Sequence, residues 1–104
     1  MDDRDPRLSR PTLGVLTTLL GSPRDELSGA EIGKEANIGA GTLYPVLARL
    51  EKAGWLTSRW ETEDPHALGR PRRRYYRVTP LGATKAKAAL RQFEPAIRRL
   101  AWES

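Results

Sequence analysis

Apolar residues recur at helical spacing in several stretches of the chain. From residue 41 to 54 they lie three and four residues apart, which is the spacing of one helical face. These positions are Leu43, Val46, Leu47 and Leu50. A similar stripe occurs at 11–20. Ser-Gly-Ala-Glu at 28–31 fits a capping box at the start of a shorter segment, 29–36. We predict helices at 11–20, 29–36, 41–52 and from residue 80 onward.

The second and third predicted helices form the first functional unit that this pattern indicates. They are joined by a short turn, Asn-Ile-Gly-Ala at 37–40, and the later helix is longer and amphipathic. Two helices joined by a glycine-containing turn are typical of a helix-turn-helix, whose second helix enters the major groove of DNA. Helix pairs that bind no DNA can share the pattern, so an ordinary helical bundle is the alternative at this point.

The outer face of the 41–52 helix carries small residues, hydroxyl groups and cations. Small side chains let a helix approach its partner closely, and hydroxyls and cations suit phosphates and base edges. The candidate DNA contacts on this face are Thr42, Tyr44, Arg49 and Lys52. Gly54 follows the helix at the position where a left-handed cap is favoured.

The periodicity changes after Gly54. Residues 55–61 and 72–78 are rich in strand-forming residues, and the segment between them contains Pro65, Gly69 and Pro71. We predict a hairpin with a loop at 63–71, in which Tyr76 and Val78 face the core. A helix-turn-helix followed by a hairpin defines a winged helix-turn-helix. The expected fold is therefore mainly α with a β hairpin, the wing.

Positive charge is concentrated in the wing. Residues 69–77 read GRPRRRYYR, and arginine suits bidentate contact with phosphate. Arg70, Arg72 and Arg73 are therefore candidate DNA contacts, and Arg70 and Arg72 flank the tip within reach of the minor groove. Arg77 and Tyr75 lie closer to the body of the domain, where a structural role is the alternative. For the whole run, the alternative is a solvated strand edge whose cations discourage aggregation.

The last predicted helix carries an apolar seam with heptad-like spacing. Thr79 and Pro80 suit its first turn, and Gly82 there indicates close backbone packing. We predict that the seam packs against a second copy of the chain; packing on the chain's own first helix is the alternative. Pro95 should bend the helix or divide it near 92–94. The predicted dimer contacts are Ala86, Leu90, Phe93, Ile97 and Leu100.

Composition limits the classes of protein that fit this pattern. The chain of 104 residues has room for one domain, and a net charge of +5 favours nucleic acid as a partner, ahead of an anionic membrane. There is no cysteine, and the one histidine, His66, lies in the wing loop. We therefore expect no metal, no cofactor and no enzyme activity. The apolar run at 13–21 is too short to cross a bilayer, and a cytoplasmic location is expected.

Two motifs resemble those of the PadR family of bacterial transcriptional regulators. Residues 41–56, GTLYPVLARLEKAGWL, resemble its recognition helix, and residues 69–82, GRPRRRYYRVTPLG, resemble its wing and the start of its last helix. A single short terminal helix is similar to the family's small subclass. The resemblance implies a homodimer, joined through the last helices with help from the first, that binds pseudo-palindromic operator DNA, usually as a repressor.

The resemblance also implies roles for particular residues. Thr42 and Tyr44 match DNA contacts of the recognition helix, with Tyr44 on a phosphate. Gly69, Arg70 and Arg72 match the wing.

Some members of the family bind small aromatic or cationic molecules between the subunits, through aromatic residues of the last helix. Phe93 stands at such a position, although a place in the dimer core is the preferred interpretation for it. Trp60 and Trp102 are secondary candidates for the wall of an effector pocket.

These inferences divide the chain into a flexible arm at 1–9, a winged helix-turn-helix domain at 10–79 and a dimerisation helix at 80–104. The expected function is sequence-specific binding of double-stranded DNA by a homodimeric repressor, with a small aromatic ligand as its effector. A winged helix that binds another protein and not DNA is the alternative. The density of arginines favours DNA.

Overall fold

The computed structural model describes residues 5–22 and 24–103, and the side chains of those up to residue 92. Helices and strands alternate along the described chain except at α2 and α3, which are consecutive, and the last helix is the longest of those elements. The elements are α1 (Arg10–Gly21), β1 (Leu27–Ser28), α2 (Gly29–Ala36), α3 (Ala40–Lys52), β2 (Leu56–Trp60), α4 (Pro65–Leu68), β3 (Arg74–Val78) and α5 (Pro80–Glu103).

The helices begin where the capping residues of the sequence predict. The hydroxyl of Ser9 accepts a hydrogen bond from the backbone N–H of Thr12 at the start of α1. In α2 the Glu31 N–H donates to the Ser28 hydroxyl at 3.2 Å, and the Ser28 N–H donates back to the Glu31 carboxylate at 3.1 Å. The capping box and the bounds 29–36 are confirmed. α1 extends one residue beyond its prediction at each end, and α3 begins one residue earlier and ends at Lys52 as predicted.

The turn from α2 to α3 depends on one left-handed residue and one close approach. Asn37 has φ 56° and ψ 50°, a conformation that asparagine tolerates better than most residues. A Cβ on Gly33 would lie 3.1 Å from the carbonyl oxygen of Ile38 and 3.0 Å from the side chain of Leu43. The absence of a side chain at Gly33 therefore lets α3 cross close to α2.

The three described strands form an antiparallel sheet in the order β1-β3-β2. In the hairpin, Leu56 is paired with Val78 and Ser58 with Tyr76. Leu27 of β1 is paired with Tyr76 from the other side. The residue pattern predicted the hairpin but not β1, since a strand of two residues has no measurable periodicity.

The core lies between the three amino-terminal helices and the sheet. The apolar face predicted for α3 is fully buried, and Tyr76 is buried beneath it, as predicted. The largest fully buried side chains are Leu16, Leu27, Ile32, Leu47, Leu50, Val15 and Val46. None of the helices in the described parts of the chain has the length and apolar character needed to cross a membrane.

The start of α5 is fixed to the end of α3 by backbone contacts. Thr79 donates from its N–H to the carbonyl of Trp55 at 3.0 Å and from its hydroxyl to the carbonyl of Gly54 at 2.6 Å. A Cβ on Gly82 would overlap the Trp55 carbonyl. The predicted close packing at Gly82 is therefore observed.

Beyond its first turn, α5 packs on α1 and β3 of its own chain. Ala86 is 0% exposed within the single chain. Its assignment to the dimer contacts is therefore corrected, because a side chain already buried by its own domain has no surface left to cover. The helix is continuous from Pro80 to Glu103, so Pro95 does not divide it.

The segment predicted as the wing loop contains the short helix α4. Asp64 caps it by accepting from the His66 N–H at 3.1 Å, and Gly69, with φ 68°, ends it. The wing is therefore partly ordered by regular structure rather than being an open loop.

Candidate nucleic-acid interface

The outer face of α3 is exposed along its length, while its apolar face is buried. Gly41, Pro45 and Ala48 lie on this outer face and are exposed too. Because these side chains are short, the backbone of α3 can approach a groove closely. The four candidate contacts, all exposed, are Thr42, Tyr44, Arg49 and Lys52.

Tyr44 is held against the first turn of α2. Its side chain is 47% exposed, and a Cβ on Gly29 would lie 2.9 Å from Cε1 and 3.0 Å from the hydroxyl oxygen of the tyrosine. The ring can keep this position because residue 29 is glycine. The contact brings the Tyr44 hydroxyl beside the amino-terminal end of α2, where backbone N–H groups carry partial positive charge.

A cavity of about 350 Å³ lies between α2, α3 and the two strands of the wing. Its lining includes Tyr44, Trp60 and Tyr76 together with Arg72 and Arg73. Tyr44 of α3 and Arg72 and Arg73 of the wing, which are distant in the sequence, therefore share one surface.

Trp60 belongs to this surface. It is 56% exposed, and the guanidinium of Arg74 lies 5.5 Å from the centroid of its ring. The described residues that line its cavity come from α2, α3 and the sheet. Its place in the wall of an effector pocket stays a prediction. Phe93 and Trp102 are the other effector candidates. Their side chains, and those of Ile97 and Leu100, are not among those that the structure describes.

Hydrogen bonds within the wing distinguish its arginines. Arg70 donates through both terminal nitrogens to Glu61, at 2.6 and 3.0 Å, and the backbone N–H of Arg73 donates to the same carboxylate at 2.7 Å. The Arg70 guanidinium is the main cause of a Glu61 pKa lowered to about 2. Arg70, 31% exposed, is thus engaged in an ion pair within the wing, and its contact with DNA stays a prediction.

Arg72 and Arg73 remain exposed beside this pair. Arg72 donates from Nε to the backbone oxygen of Glu63 at 2.9 Å, which orients its side chain along the wing. Both guanidinium groups therefore stay available at the surface that Tyr44 shares.

A second network joins the end of α3 to the sheet. Glu51 accepts from the Ser58 hydroxyl at 2.6 Å and from Arg74 at 3.2 Å, and Arg74 Nε donates to Ser58 at 2.9 Å. The Arg74 guanidinium also lies 5.8 Å from the ring centroid of Tyr76. The sequence pattern did not indicate this network, because its members come from three different elements, which only the fold brings together.

Arg49 lies near the segment that precedes α1. It lines an open cavity of about 520 Å³ with Arg7, Leu8 and Ser9, and Leu8 packs against the core. Two guanidinium groups therefore lie near this side of α3. Arg7 was not among the candidates because acidic residues balance the arginines of that segment, and the flexibility of residues 1–9 stays a prediction.

Other described charges form ion pairs away from this surface. Arg59 pairs with Glu26 and Arg24 with Glu31, and these hydrogen bonds lower the pKa of both carboxyls. His66 is exposed in α4. Within the described ranges, 5–22 and 24–103, no group of histidine, aspartate and glutamate side chains is arranged to hold a metal ion.

A helix-turn-helix with an exposed outer face, followed by an arginine-rich hairpin, is the architecture of winged-helix transcriptional regulators. The sequence profile of the "Transcriptional regulator PadR-like family" matches residues 26–88, from β1 into α5. This match spans more than half of the chain, and the chain belongs to this family. It is a transcriptional regulator and not an enzyme.

Individual proteins support the same assignment. The transcriptional regulator Rv3488 of Mycobacterium tuberculosis is 38% identical over 84 residues, which cover 76% of this chain and 70% of that protein. A transcriptional regulator homologue from Pyrococcus horikoshii is 25% identical, with a TM-score of 0.66, covering 86% of this chain and 81% of that chain. A PadR family regulator from Clostridium difficile has the same fold at 19% identity, with a TM-score of 0.69 over 90% of this chain and 97% of that chain.

Proposed function

We propose that the protein is a homodimeric repressor that binds pseudo-palindromic operator DNA, with α3 in the major groove and the wing on the flanking backbone. The observation that carries this proposal is the surface shared by the two elements. Tyr44 of α3 lines the same cavity as Arg72 and Arg73 of the wing. A helix and a cationic hairpin on one surface can bind a groove and the neighbouring phosphates together.

We assign base recognition to the amino-terminal half of α3. Thr42 is exposed there, and its hydroxyl and methyl groups can contact base edges and the methyl group of thymine. Gly41, Pro45 and Ala48 let the helix lie deep in the groove, since no long side chain separates its backbone from the bases. Tyr44 donates from its hydroxyl to a phosphate at the amino-terminal end of α2, where the helix dipole also favours an anion.

The remaining cations bind the phosphates on either side of the groove. Arg72 and Arg73 act from the wing, while Arg49 and Lys52 act from the second half of α3. All four are exposed, and guanidinium groups suit bidentate contact with phosphate oxygens. Contacts of this kind supply much of the affinity and make it depend on salt.

We assign dimerisation to the second half of α5. The buried residues Ala86 and Ala89 hold the first half of this helix to its own domain. Leu90 is half-buried, and Phe93, Ile97 and Leu100 continue the apolar seam beyond it. A second copy that covers this seam would place two α3 helices in successive major grooves, about 34 Å apart.

An effector would act through the same dimer. A small aromatic molecule that binds one dimer geometry more tightly than another shifts the population toward it, and so changes the spacing of the two α3 helices. Phe93 is the candidate of the seam for contact with such a molecule, although its place in the dimer core is the preferred role.

The test is the salt dependence of DNA binding, measured by fluorescence anisotropy with labelled duplexes. Arg72→Ala should weaken binding to every sequence and reduce the slope of log affinity against log salt by about 1, the loss of one phosphate contact. Arg77→Ala is the matched control. Arg77 lies in β3, which begins two residues after Arg72. Strand alternation turns Arg77 to the face opposite Tyr76, so the salt slope of Arg77→Ala should equal that of the wild type.

Two results would contradict the proposal. Equal slopes for Arg72→Ala and the wild type would refute the role of the wing. A wild-type protein that binds neither random nor genomic DNA would favour the alternative, a winged helix that binds another protein.

A further inference from the structure

Glu61 is an acidic residue at the centre of an arginine-rich wing. It directly follows β2, and its side chain is only 10% exposed. Its carboxylate accepts from Arg70 twice and from the Arg73 backbone once, and its own N–H donates to the carbonyl of Arg73 at 2.9 Å. These bonds close the segment 62–72 at its base.

The charge of Glu61 is unfavourable if the wing only attracts phosphates. A carboxylate beside a DNA-binding surface repels the backbone, so its removal should strengthen binding if charge alone matters. The Glu61 carboxylate also neutralises Arg70, which removes one cation from the set that could bind DNA. If the wing acted on DNA only through its positive charge, the pair of Glu61 and Arg70 would therefore weaken binding.

We propose that Glu61 and Arg70 form a clamp that holds the wing in the conformation in which Arg72 and Arg73 contact DNA. This inference rests on the proposed DNA-binding function. Glu61 and Arg70 are positioning residues: neither touches DNA, and both act through the two arginines that follow Pro71.

The geometry of the wing supports this role. The carboxylate holds the backbone of Arg73 directly, and Arg72 lies between the two residues that the carboxylate binds. The Nε of Arg72 donates to the Glu63 carbonyl on the opposite side of the wing, so its direction depends on the wing staying closed. The pKa of Glu61, which Arg70 lowers to about 2, keeps the carboxylate of the clamp charged well into the acid range.

The experiment compares Glu61→Ala with Glu63→Ala by fluorescence anisotropy on the same duplex. Both variants remove one negative charge from the wing, but the Glu63 side chain is exposed and makes no hydrogen bond to the described residues. We expect Glu61→Ala to bind about tenfold more weakly at 0.1 M salt, with a shallower salt slope, because a phosphate contact is lost. Glu63→Ala should bind as tightly as the wild type or more tightly. Glu61→Gln, which keeps an acceptor for the Arg73 N–H, should be intermediate.

A second measurement tests whether the clamp forms in the absence of DNA. Hydrogen exchange of the Arg73 amide, followed by NMR, should be faster in Glu61→Ala and unchanged in Glu63→Ala. If Glu61→Ala does not fold, the pair Glu61→Gln and Glu63→Gln makes the same comparison.

The possible results separate the two proposals. If the wild type binds DNA and Glu61→Ala binds as tightly as Glu63→Ala, the clamp is overturned and the proposed function stands. Weaker binding by Glu61→Ala with unchanged exchange at Arg73 would also overturn the clamp. A wild type that binds no DNA overturns the proposed function, even where the exchange data support the closed wing.

Discussion

Replacing Gly82 with alanine tests the contact that fixes the direction of α5. The new Cβ would overlap the carbonyl oxygen of Trp55 and lie 2.7 Å and 2.8 Å from its carbonyl carbon and Cα. All three atoms belong to the backbone, so no side chain can rotate away. The Trp55 backbone is itself held, since its N–H donates to Leu50 at 2.9 Å and its carbonyl accepts from Thr79 at 3.0 Å.

The expected loss of stability follows from two opposing effects. Overpacking a well-packed site destabilises a protein by about 1–3 kcal/mol, and an overlap with fixed backbone belongs at the upper end of that range. Alanine is favoured over glycine in a helix by about 1 kcal/mol. We therefore expect Gly82→Ala to lower the free energy of unfolding by about 2 kcal/mol.

Gly14→Ala is the matched control within another helix. Its Cβ would lie 3.6 Å from Ile38 Cδ1 and 3.9 Å from Ala36 Cβ, which are ordinary contacts. The same substitution should therefore stabilise the protein there, by about 0.5–1 kcal/mol.

Urea unfolding followed by tryptophan fluorescence measures both changes. The protein concentration must be held constant, because dissociation of the proposed dimer would contribute to the apparent stability. Equal m-values would show that the variants unfold from comparable states. A Gly82→Ala protein as stable as the wild type, or more stable, would refute the close packing of α5 on Trp55.

Three further predictions concern acid stability, capping and the dimer. Because the folded-state pKa of Glu61, about 2, lies below its ordinary value of 4.5, its contribution to stability is present above pH 4.5 and is lost as pH falls toward 2. Melting temperatures should fall less steeply over this range in Glu61→Gln than in the wild type, and identical pH profiles would contradict the assignment. Ser28→Ala should lower the free energy of unfolding by about 1 kcal/mol through loss of the α2 cap, and unchanged stability in urea would count against it. Phe93→Ala should raise the concentration at which the dimer dissociates in analytical ultracentrifugation; undiminished association would favour a ligand role or an exposed position for Phe93.

Local signals in the sequence predicted the local structure well. The pair Ser28 and Glu31 sets the start of α2, because both hydrogen bonds of the capping box lie within four residues. Gly82 indicated a close approach before any partner was known. The same kind of signal was overlooked at α4, where Asp64 and Pro65 begin a helix and Gly69 ends it. Four residues are too few to show a helical period.

The charged pairs of the interface could not be predicted in the same way. Glu61 and Arg70, or Glu51 and Arg74, meet only when the strand register is known. The pairing of Trp60 with Arg74 puts Glu61 opposite Arg73, and a one-residue shift would separate these groups. The sequence therefore indicated a cationic wing without distinguishing the arginines that bind acids from those that stay exposed.

Ala86 illustrates a further limit of periodicity. Its spacing matches the seam of α5, but a helix that packs on its own domain and on a second copy needs apolar residues for both. Only the fold assigns Ala86 to the first of these contacts.

Selection of bound sites from a random DNA library tests the central claim most directly. The proposed homodimer should select a consensus with two-fold symmetry. Its half-sites should be centred about 10 base pairs apart, so that two α3 helices occupy successive major grooves. Enrichment of a single asymmetric site would contradict the dimer. No enrichment above unselected DNA would contradict DNA recognition by α3 and the wing.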